Sequence, residues 1–323
     1  MIKLGYKLMS EEHGPADLVR NATRAEQAGF DFAAISDHFF PWLEEQGHAP
    51  FAWSVLGAVA NATRRIGLMT AVTCPIMRYH PAIIARAQPP WGCSAATGLL
   101  WGSDRANGST SMSWGAGWPG TGERHERLSE ATDIIQGLLT GKLTHYRGRH
   151  FQLDDARLFD RPDLPSLWSR SPPAAPKRHD CRPQGGRPDG DPSRARDLIE
   201  AFVAAGGSGP RYAEVALCYS EREADARETA HRYFRWSLGG WPVQAELPNP
   251  AGFAAASAHV SQAAVAEAIT CGPSRDHHLE AIDRYAQAGF DHIVLVQIGP
   301  EQDKFIEFFE RELAPALRVR AAA

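Results

Sequence analysis

A short segment near the N-terminus, SDHFFPW at residues 36–42, places a carboxylic acid, an imidazole and an indole side by side. An alcohol releases a hydride only as its hydroxyl group loses a proton, and histidine is the side chain best suited to accept a proton near neutral pH. Trp42 offers a flat apolar surface with a single N–H donor, which suits a ring-shaped ligand. His38 is therefore the candidate base and Trp42 the candidate wall of a site.

Each of these side chains also has a purely structural interpretation. His38 alternatively packs against a loop, and Trp42, one of nine tryptophans, alternatively belongs to the core. Asp37 either orients a neighbouring group or caps the following turn. We interpret Cys74, which precedes Pro75, as a small pocket wall, because no nearby base is evident that would activate its thiol.

The elements around this segment alternate between strands and helices. Residues 30–36 form a short apolar run after an amphipathic helix at 15–28, which predicts a buried parallel strand. Further strands are predicted at 2–8, 66–73, 211–220 and 290–299. Further helices are predicted at 51–63, from 81 onward, and at 123–139, 194–205, 222–233, 274–288 and 302–317, with a hairpin at 143–153. The alternation predicts an α/β fold with a parallel sheet and helical crossovers. The length suits a single (β/α)8 TIM barrel over residues 1–323, in which segment 36–42 lies at the carboxyl rim.

Composition excludes several classes of function. The 323 residues carry a formal net charge of −4, which leaves no basic surface for nucleic acid. No apolar run is long enough to cross a bilayer, and the N-terminus lacks the apolar core of a signal peptide. The five cysteines are scattered without C-x-x-C spacing, and the histidines are dispersed, so we expect neither disulfides nor a metal site. We expect a soluble cytoplasmic homodimer with a small-molecule substrate.

Two irregular segments, residues 88–114 and 166–193, interrupt the pattern in the region of strands 4 to 6. Neither shows a strand or helix period, and loops this long are uncommon inside a compact domain. One interpretation is two disordered insertions. Permissible codons for residues 102–115, read one frame over, can instead spell Val-Gly-Pro-Gly-Glu, a strand end followed by a helix start. We favour the hypothesis that both segments are frameshifted.

The chain resembles the luciferase-like monooxygenase superfamily. Within it, the chain is most similar to oxidoreductases related to the coenzyme F420-dependent glucose-6-phosphate dehydrogenases. The resemblance covers nearly the whole length outside the two irregular segments. It is carried by LGYK at 4–7, SDHF at 36–39 with Pro41 and Trp42, HAPF at 48–51, and residues 70–75 leading to RYHP at 78–81.

The resemblance implies an α/β barrel that binds a deazaflavin at its carboxyl rim and transfers a hydride between a substrate carbon and C5 of coenzyme F420. It implies that His38 takes the hydroxyl proton and that Trp42 stabilises the reacting complex. It further implies that a non-proline cis peptide at Ala71-Val72 supports the deazaflavin ring. The cofactor-binding residues that follow are Asp37, Ala71, Val72, Thr73 and Cys74.

The chain departs from this family at three places. The glutamate expected as the second acid–base group is replaced by Ala106-Asn107, and the loop expected to hold the cofactor phosphate falls within 166–193. Positions 253–255 and Ala266, where the family grips a sugar phosphate, carry no charge. A non-phosphorylated alcohol or carbonyl substrate is therefore favoured over glucose 6-phosphate. The alternatives are an FMN-dependent monooxygenase on the same scaffold and a catalytically impaired remnant.

We expect resequencing of the gene to find a shifted reading frame across 88–114 and 166–193. The mass of the purified, intact protein tests the reading frame independently, because a shifted frame changes the residues of both segments. A mass that matches the printed sequence would instead support two insertions.

Overall fold

A parallel sheet forms the centre of the fold in the computed structural model, which describes residues 2–87, 98–101, 117–160, 192–204, 206–207 and 209–322. Its strands are β1 Lys3–Leu8, β2 Phe32–Ile35, β3 Gly67–Thr73, β4 Gly98–Trp101, β7 Tyr212–Cys218, β8 Thr270–Cys271 and β9 His292–Gln297. They lie in the order β4-β3-β2-β1-β9-β7-β8. Strands β5 Thr144–Arg147 and β6 Gln152–Ala156 form a separate antiparallel hairpin.

Helices follow most strands and cover the outer face of the sheet. They are α1 Pro15–Gln27, α2 Ala52–Ala62, α3 Pro81–Arg86, α4 Thr121–Leu139, α5 Pro192–Ala204, α6 Glu223–Phe234, α7 Trp241–Gln244, α8 Pro250–Ala256, α9 Gln262–Ala268, α10 Arg275–Ala288, α11 Gln302–Phe308 and α12 Ala314–Ala322. A π-helical turn, Phe309–Leu313, joins the last two, and 3-10 turns occupy Glu44–Gln46 and Arg235–Gly239. In the described ranges, no helix combines the length and apolar character needed to cross a bilayer.

The strands are buried on both faces, as expected of a parallel sheet covered by helices. In β2, Ala33 and Ile35 face the helices, whereas Phe32 and Ala34 face an inner cluster with Met69. Gly5 of β1 pairs with Phe32, and a Cβ atom at Gly5 would collide with that phenylalanine ring. Gly5 is thus needed for the close packing of β1 against β2.

The predicted strands and long helices are confirmed, with ends that differ by a few residues. The expectation that residues 88–114 contain no regular element is wrong at Gly98–Trp101, which pairs with β3 in parallel register. A run of four residues is too short to show the hydrophobic alternation of a strand, and pairing with a neighbouring strand stabilises it. The frameshift hypothesis, and the strands that would close the barrel between β4 and β7, involve residues 88–97, 102–116 and 161–191, which lie outside the described residues.

Tyr6 joins the first strand to the last part of the chain. Its buried hydroxyl donates a hydrogen bond to the side-chain oxygen of Gln302 at the start of α11. The Gln302 amide in turn donates to the carbonyl oxygens of Gln297, at 2.9 Å, and Gly299, at 2.7 Å. The chain after β9 is therefore held against β1 by a buried polar network.

We expect Tyr6→Phe to lower the free energy of unfolding by about 1–3 kcal/mol, because the buried oxygen of Gln302 loses its donor. Urea unfolding measures the change. The control is Tyr146→Phe on the exposed hairpin, where the hydroxyl lies 3.4 Å from Asp133, and there the loss should stay within about 0.5 kcal/mol. Equal losses in the two variants would contradict the prediction.

Candidate active site at the carboxyl ends of the strands

The buried carboxylate of Asp37, two residues after β2, accepts hydrogen bonds from three side chains. The Thr73 hydroxyl and the Tyr79 hydroxyl each lie 2.9 Å from a carboxylate oxygen. The Arg78 guanidinium pairs with the same carboxylate and lies 2.7 Å from the backbone oxygen of Asp37. A buried carboxylate is tolerated only when it is paired and hydrogen-bonded. Asp37 therefore connects the end of β2 to the end of β3 and the loop that follows.

The hydrogen bonds to Asp37 also show the role of two side chains in the loop after β3. Arg78 and His80 belong to the RYHP motif at 78–81, and the structure shows what each side chain contacts. Arg78 pairs with Asp37, and its side chain is 9% exposed. His80 is the N-cap of α3, where its Nδ1 accepts a hydrogen bond from the Ala82 N–H at 3.2 Å. Both side chains thus hold the loop in place.

His38 is paired with a carboxylate that the sequence analysis missed. Its Nδ1 lies 2.7 Å from Oε1 of Glu11, whose side chain is 1% exposed, whereas that of His38 remains 14% exposed. Burial opposes ionisation of Glu11, but contact with His38 and the charge of Lys7 outweigh it and lower the pKa of Glu11 to about 2. Because Glu11 occupies Nδ1 of His38, Nε2 is the nitrogen that can exchange a proton with a ligand.

The sequence did contain a signal for Glu11. The residue lies three positions after β1, at the same rim as segment 36–42. Because the carboxyl ends of neighbouring parallel strands meet at one edge of the sheet, polar residues after β1 and β2 come close together.

Trp42 lies beside His38 and belongs to an aromatic cluster. The indole meets the imidazole edge to face, with ring centres 4.6 Å apart. It also stacks on Trp236, with ring centres 4.1 Å apart, and meets the nearly perpendicular ring of Phe253, whose centre lies 5.1 Å away. Trp236 and Phe253 follow β7 far along the chain, and sequence reasoning did not connect either ring with Trp42. The three rings form an uncharged wall beside the candidate base.

Gln46 holds the loop that carries Trp42. Its side-chain oxygen accepts hydrogen bonds from the backbone N–H groups of Trp42, at 2.8 Å, and Leu43, at 3.1 Å. Its amide group donates to the Glu12 carboxylate and to the carbonyl oxygen of Tyr233, each at 3.3 Å. The position of the indole is thus set by buried hydrogen bonds.

The end of β3 supplies the remaining predicted site residues. The peptide between Ala71 and Val72 is cis, as the resemblance predicts. Thr73 contacts Asp37, so this strand end shares the rim with segment 36–42. Burial raises the pKa of the Cys74 thiol to about 12, which agrees with a pocket wall and not with a nucleophile. Within the described part of the chain, no group of three or more potential ligands could hold a metal ion.

Two further predicted features lie outside the described residues. These are the replacement of the expected glutamate at Ala106-Asn107 and residues 166–191 of the segment that would contain the phosphate-binding loop.

Comparison with known proteins shows which family the chain matches. The family model of luciferase-like monooxygenases matches residues 2–89 and 104–292. The F420-dependent glucose-6-phosphate dehydrogenase of Beutenbergia cavernae is 31% identical, over 99% of this chain and 98% of the relative. F420-dependent glucose-6-phosphate dehydrogenase 2 of Rhodococcus jostii is 30% identical, over 98% of both chains.

Two solved structures share the fold. An F420-dependent secondary alcohol dehydrogenase, in complex with an F420–acetone adduct, superposes with a TM-score of 0.82 at 23% identity and covers 96% of this chain and 98% of its own. The coenzyme F420-dependent tetrahydromethanopterin reductase of Methanopyrus kandleri gives a TM-score of 0.72 at 20% identity and covers 98% and 99%. The predicted luciferase-like barrel fold is confirmed.

We expect the stabilising effect of Glu11 to disappear in acid. Its pKa in the folded protein is about 2, below the ordinary value of 4.5, so its contribution is complete above about pH 4.5 and is lost as the pH falls toward 2. Relative to Glu11→Gln, the free energy of unfolding of the wild type should fall by on the order of 3 kcal/mol over this interval. Urea unfolding at a series of pH values measures the difference.

The exposed Glu228 on α6 provides a control, since Glu228→Gln should leave the pH dependence of the wild type unchanged. A wild-type advantage over Glu11→Gln that stays constant between pH 4.5 and 2 would contradict the ion pair.

Proposed function

Since the chain belongs to the luciferase-like monooxygenase family, we propose that it is a coenzyme F420-dependent oxidoreductase acting on an alcohol or carbonyl substrate. The pair of His38 with Glu11, at 2.7 Å beside Trp42, is the observation that carries this proposal. A base that can hold a proton, next to a flat apolar wall, is what the oxidation of an alcohol requires. The names of the curated relatives and the resemblance of the sequence motifs support the choice of cofactor.

The described residues fit a flat deazaflavin ring at this rim. The strand end at 71–74 carries only small and medium-sized side chains, and Val72 is partly exposed beside the buried Ala71 and Thr73. The indole N–H of Trp236 is buried without a hydrogen-bond partner in the described part of the chain, so a donor remains for a ligand. We propose that Asp37 and residues 71–74 hold the ring. When bound, F420 supplies the carbon, C5, that accepts or returns the hydride.

The roles of the protein side chains follow from their contacts. His38 accepts the hydroxyl proton as the substrate carbon loses its hydride, and it returns that proton in the reverse direction. The buried carboxylate of Glu11 stabilises the charge that the imidazole gains, because opposite charges at short range favour the ionised forms. Trp42, held by its stack on Trp236, excludes water from one side of the reacting groups.

The aromatic wall favours a substrate without a phosphate group. Trp42, Trp236 and Phe253 carry no charge and contact one another. The resemblance implies that the family binds a sugar phosphate near Phe253. A phosphate dianion binds poorly in a closed site without cationic partners. We therefore propose a non-phosphorylated alcohol, or the corresponding carbonyl compound, in preference to glucose 6-phosphate.

We expect purified wild-type protein to quench F420 fluorescence, to show no affinity for FMN, and to reduce F420 with members of a panel of secondary alcohols. His38→Ala should lower turnover by about 10²-fold or more while the Kd for F420 stays close to that of the wild type. The control is His259→Ala, because this histidine is exposed on the surface.

Near-normal turnover in His38→Ala would rule out the assignment of His38 as the base. Binding of FMN with consumption of O2 would favour the alternative flavin-dependent monooxygenase. A folded wild-type protein that binds neither cofactor would favour the catalytically impaired remnant.

A further inference from the structure

Lys7 is a buried cation that none of the steps above uses. It lies on β1, and its side chain is only 5% exposed. Its neighbours Tyr6 and Leu8 pack toward the helices, so the alternation of a strand places Lys7 on the inner face of the sheet. A charged group at such a position is costly unless it is paired, so its partners indicate its purpose.

The Lys7 ammonium group has two partners on different strands. It donates to the carbonyl oxygen of Ala71 on β3 at 2.7 Å, and it contacts the carboxylate of Glu214 on β7 at 2.6 Å. The Glu214 side chain is 39% exposed, so water screens its charge more effectively than that of Lys7. The positive charge is therefore the less screened member of the pair, and it lies against the strand end that carries the predicted cofactor residues.

Lys7 also influences Glu11, the carboxylate that pairs with the candidate base His38. Its charge helps to keep Glu11 ionised against the opposing effect of burial, after the larger effect of contact with His38. The same ammonium group thus lies near the candidate base pair and contacts the peptide that the cofactor ring is proposed to face.

We infer that Lys7 is a positioning residue whose charge favours the reduced state of the bound cofactor; this inference rests on the proposed function. In alcohol oxidation, the substrate C–H bond breaks with both electrons, a C–H bond forms at C5, and the hydroxyl proton passes to His38. The substrate becomes a carbonyl compound, and the ring gains one unit of negative charge. A nearby buried cation stabilises that added charge, whereas a nearby carboxylate opposes it.

The test compares the Kd values of oxidised and reduced F420, measured anaerobically on wild type, Lys7→Met, Glu214→Gln and the double variant. We expect Lys7→Met to weaken the preference for the reduced form about tenfold, which corresponds to a midpoint potential about 30 mV more negative for a two-electron couple. Glu214→Gln should shift the ratio in the opposite direction, and the double variant should fall between the two. A purely structural role would weaken both forms together and leave the ratio unchanged.

Lys3→Met provides the matched control, because Lys3 lies on the same strand but is exposed at its far end, and the ratio should not change. An unchanged ratio of Kd values in folded Lys7→Met would overturn the inference, and so would shifts of the same sign in Lys7→Met and Glu214→Gln. The proposed function would still stand in either case, provided that the wild type binds F420 and turns over. If Lys7→Met does not fold, Glu214→Gln tests the inference alone. A preference for reduced F420 that is unchanged or weaker in Glu214→Gln would then overturn it. Failure of the wild type to bind F420 would overturn both proposals.

Discussion

The arrangement of the candidate site depends on the cost of burying the carboxylate of Asp37. That cost is offset only because Thr73, Arg78 and Tyr79 supply donors from β3 and the loop after it. The same contacts fix the direction in which the chain leaves β2, and therefore the position of His38 in the next residue. A side chain expected to touch the cofactor is thus also the anchor that aligns two strand ends.

A second set of ionisable groups extends from this anchor into the sheet. His38 contacts Glu11, the charge of Lys7 acts on Glu11, and Lys7 pairs with Glu214 on β7. Lys7 lies between the carboxylates of Glu11 and Glu214 in this series, so the buried charges of Lys7 and Glu11 each have an opposite charge nearby. Because the interior screens charges less than water does, the arrangement gives the candidate base a defined electrostatic environment.

The aromatic side of the site has a different physical origin. Trp42 is positioned by the hydrogen bonds of Gln46 and by stacking on Trp236, whose own segment follows α6. The wall is therefore assembled from two distant parts of the chain, and its lack of charge is what distinguishes it from a site that grips phosphate. Family membership provides the scaffold, and the lack of charge on these rings supports the proposal of a non-phosphorylated substrate.

Much of the fold was predictable because its signals are local. The short apolar runs of β2 and β9 and the periodic helices such as α1 and α10 carry their patterns within a few consecutive residues. The short helices between residues 241 and 268 and the four-residue β4 could not be predicted in this way. They contain too few residues for a period, and tertiary contacts stabilise them.

By itself, the sequence determined the parallel α/β arrangement, the rim position of His38 and Trp42, and the resemblance that located the peptide at Ala71-Val72. Only the tertiary structure decided which groups those residues meet. It paired His38 with Glu11, Lys7 with Glu214 and Trp42 with Trp236. Local periodicity is written in neighbouring residues, whereas these contacts join residues that are 27 to 207 positions apart and arise only when the strands align in register.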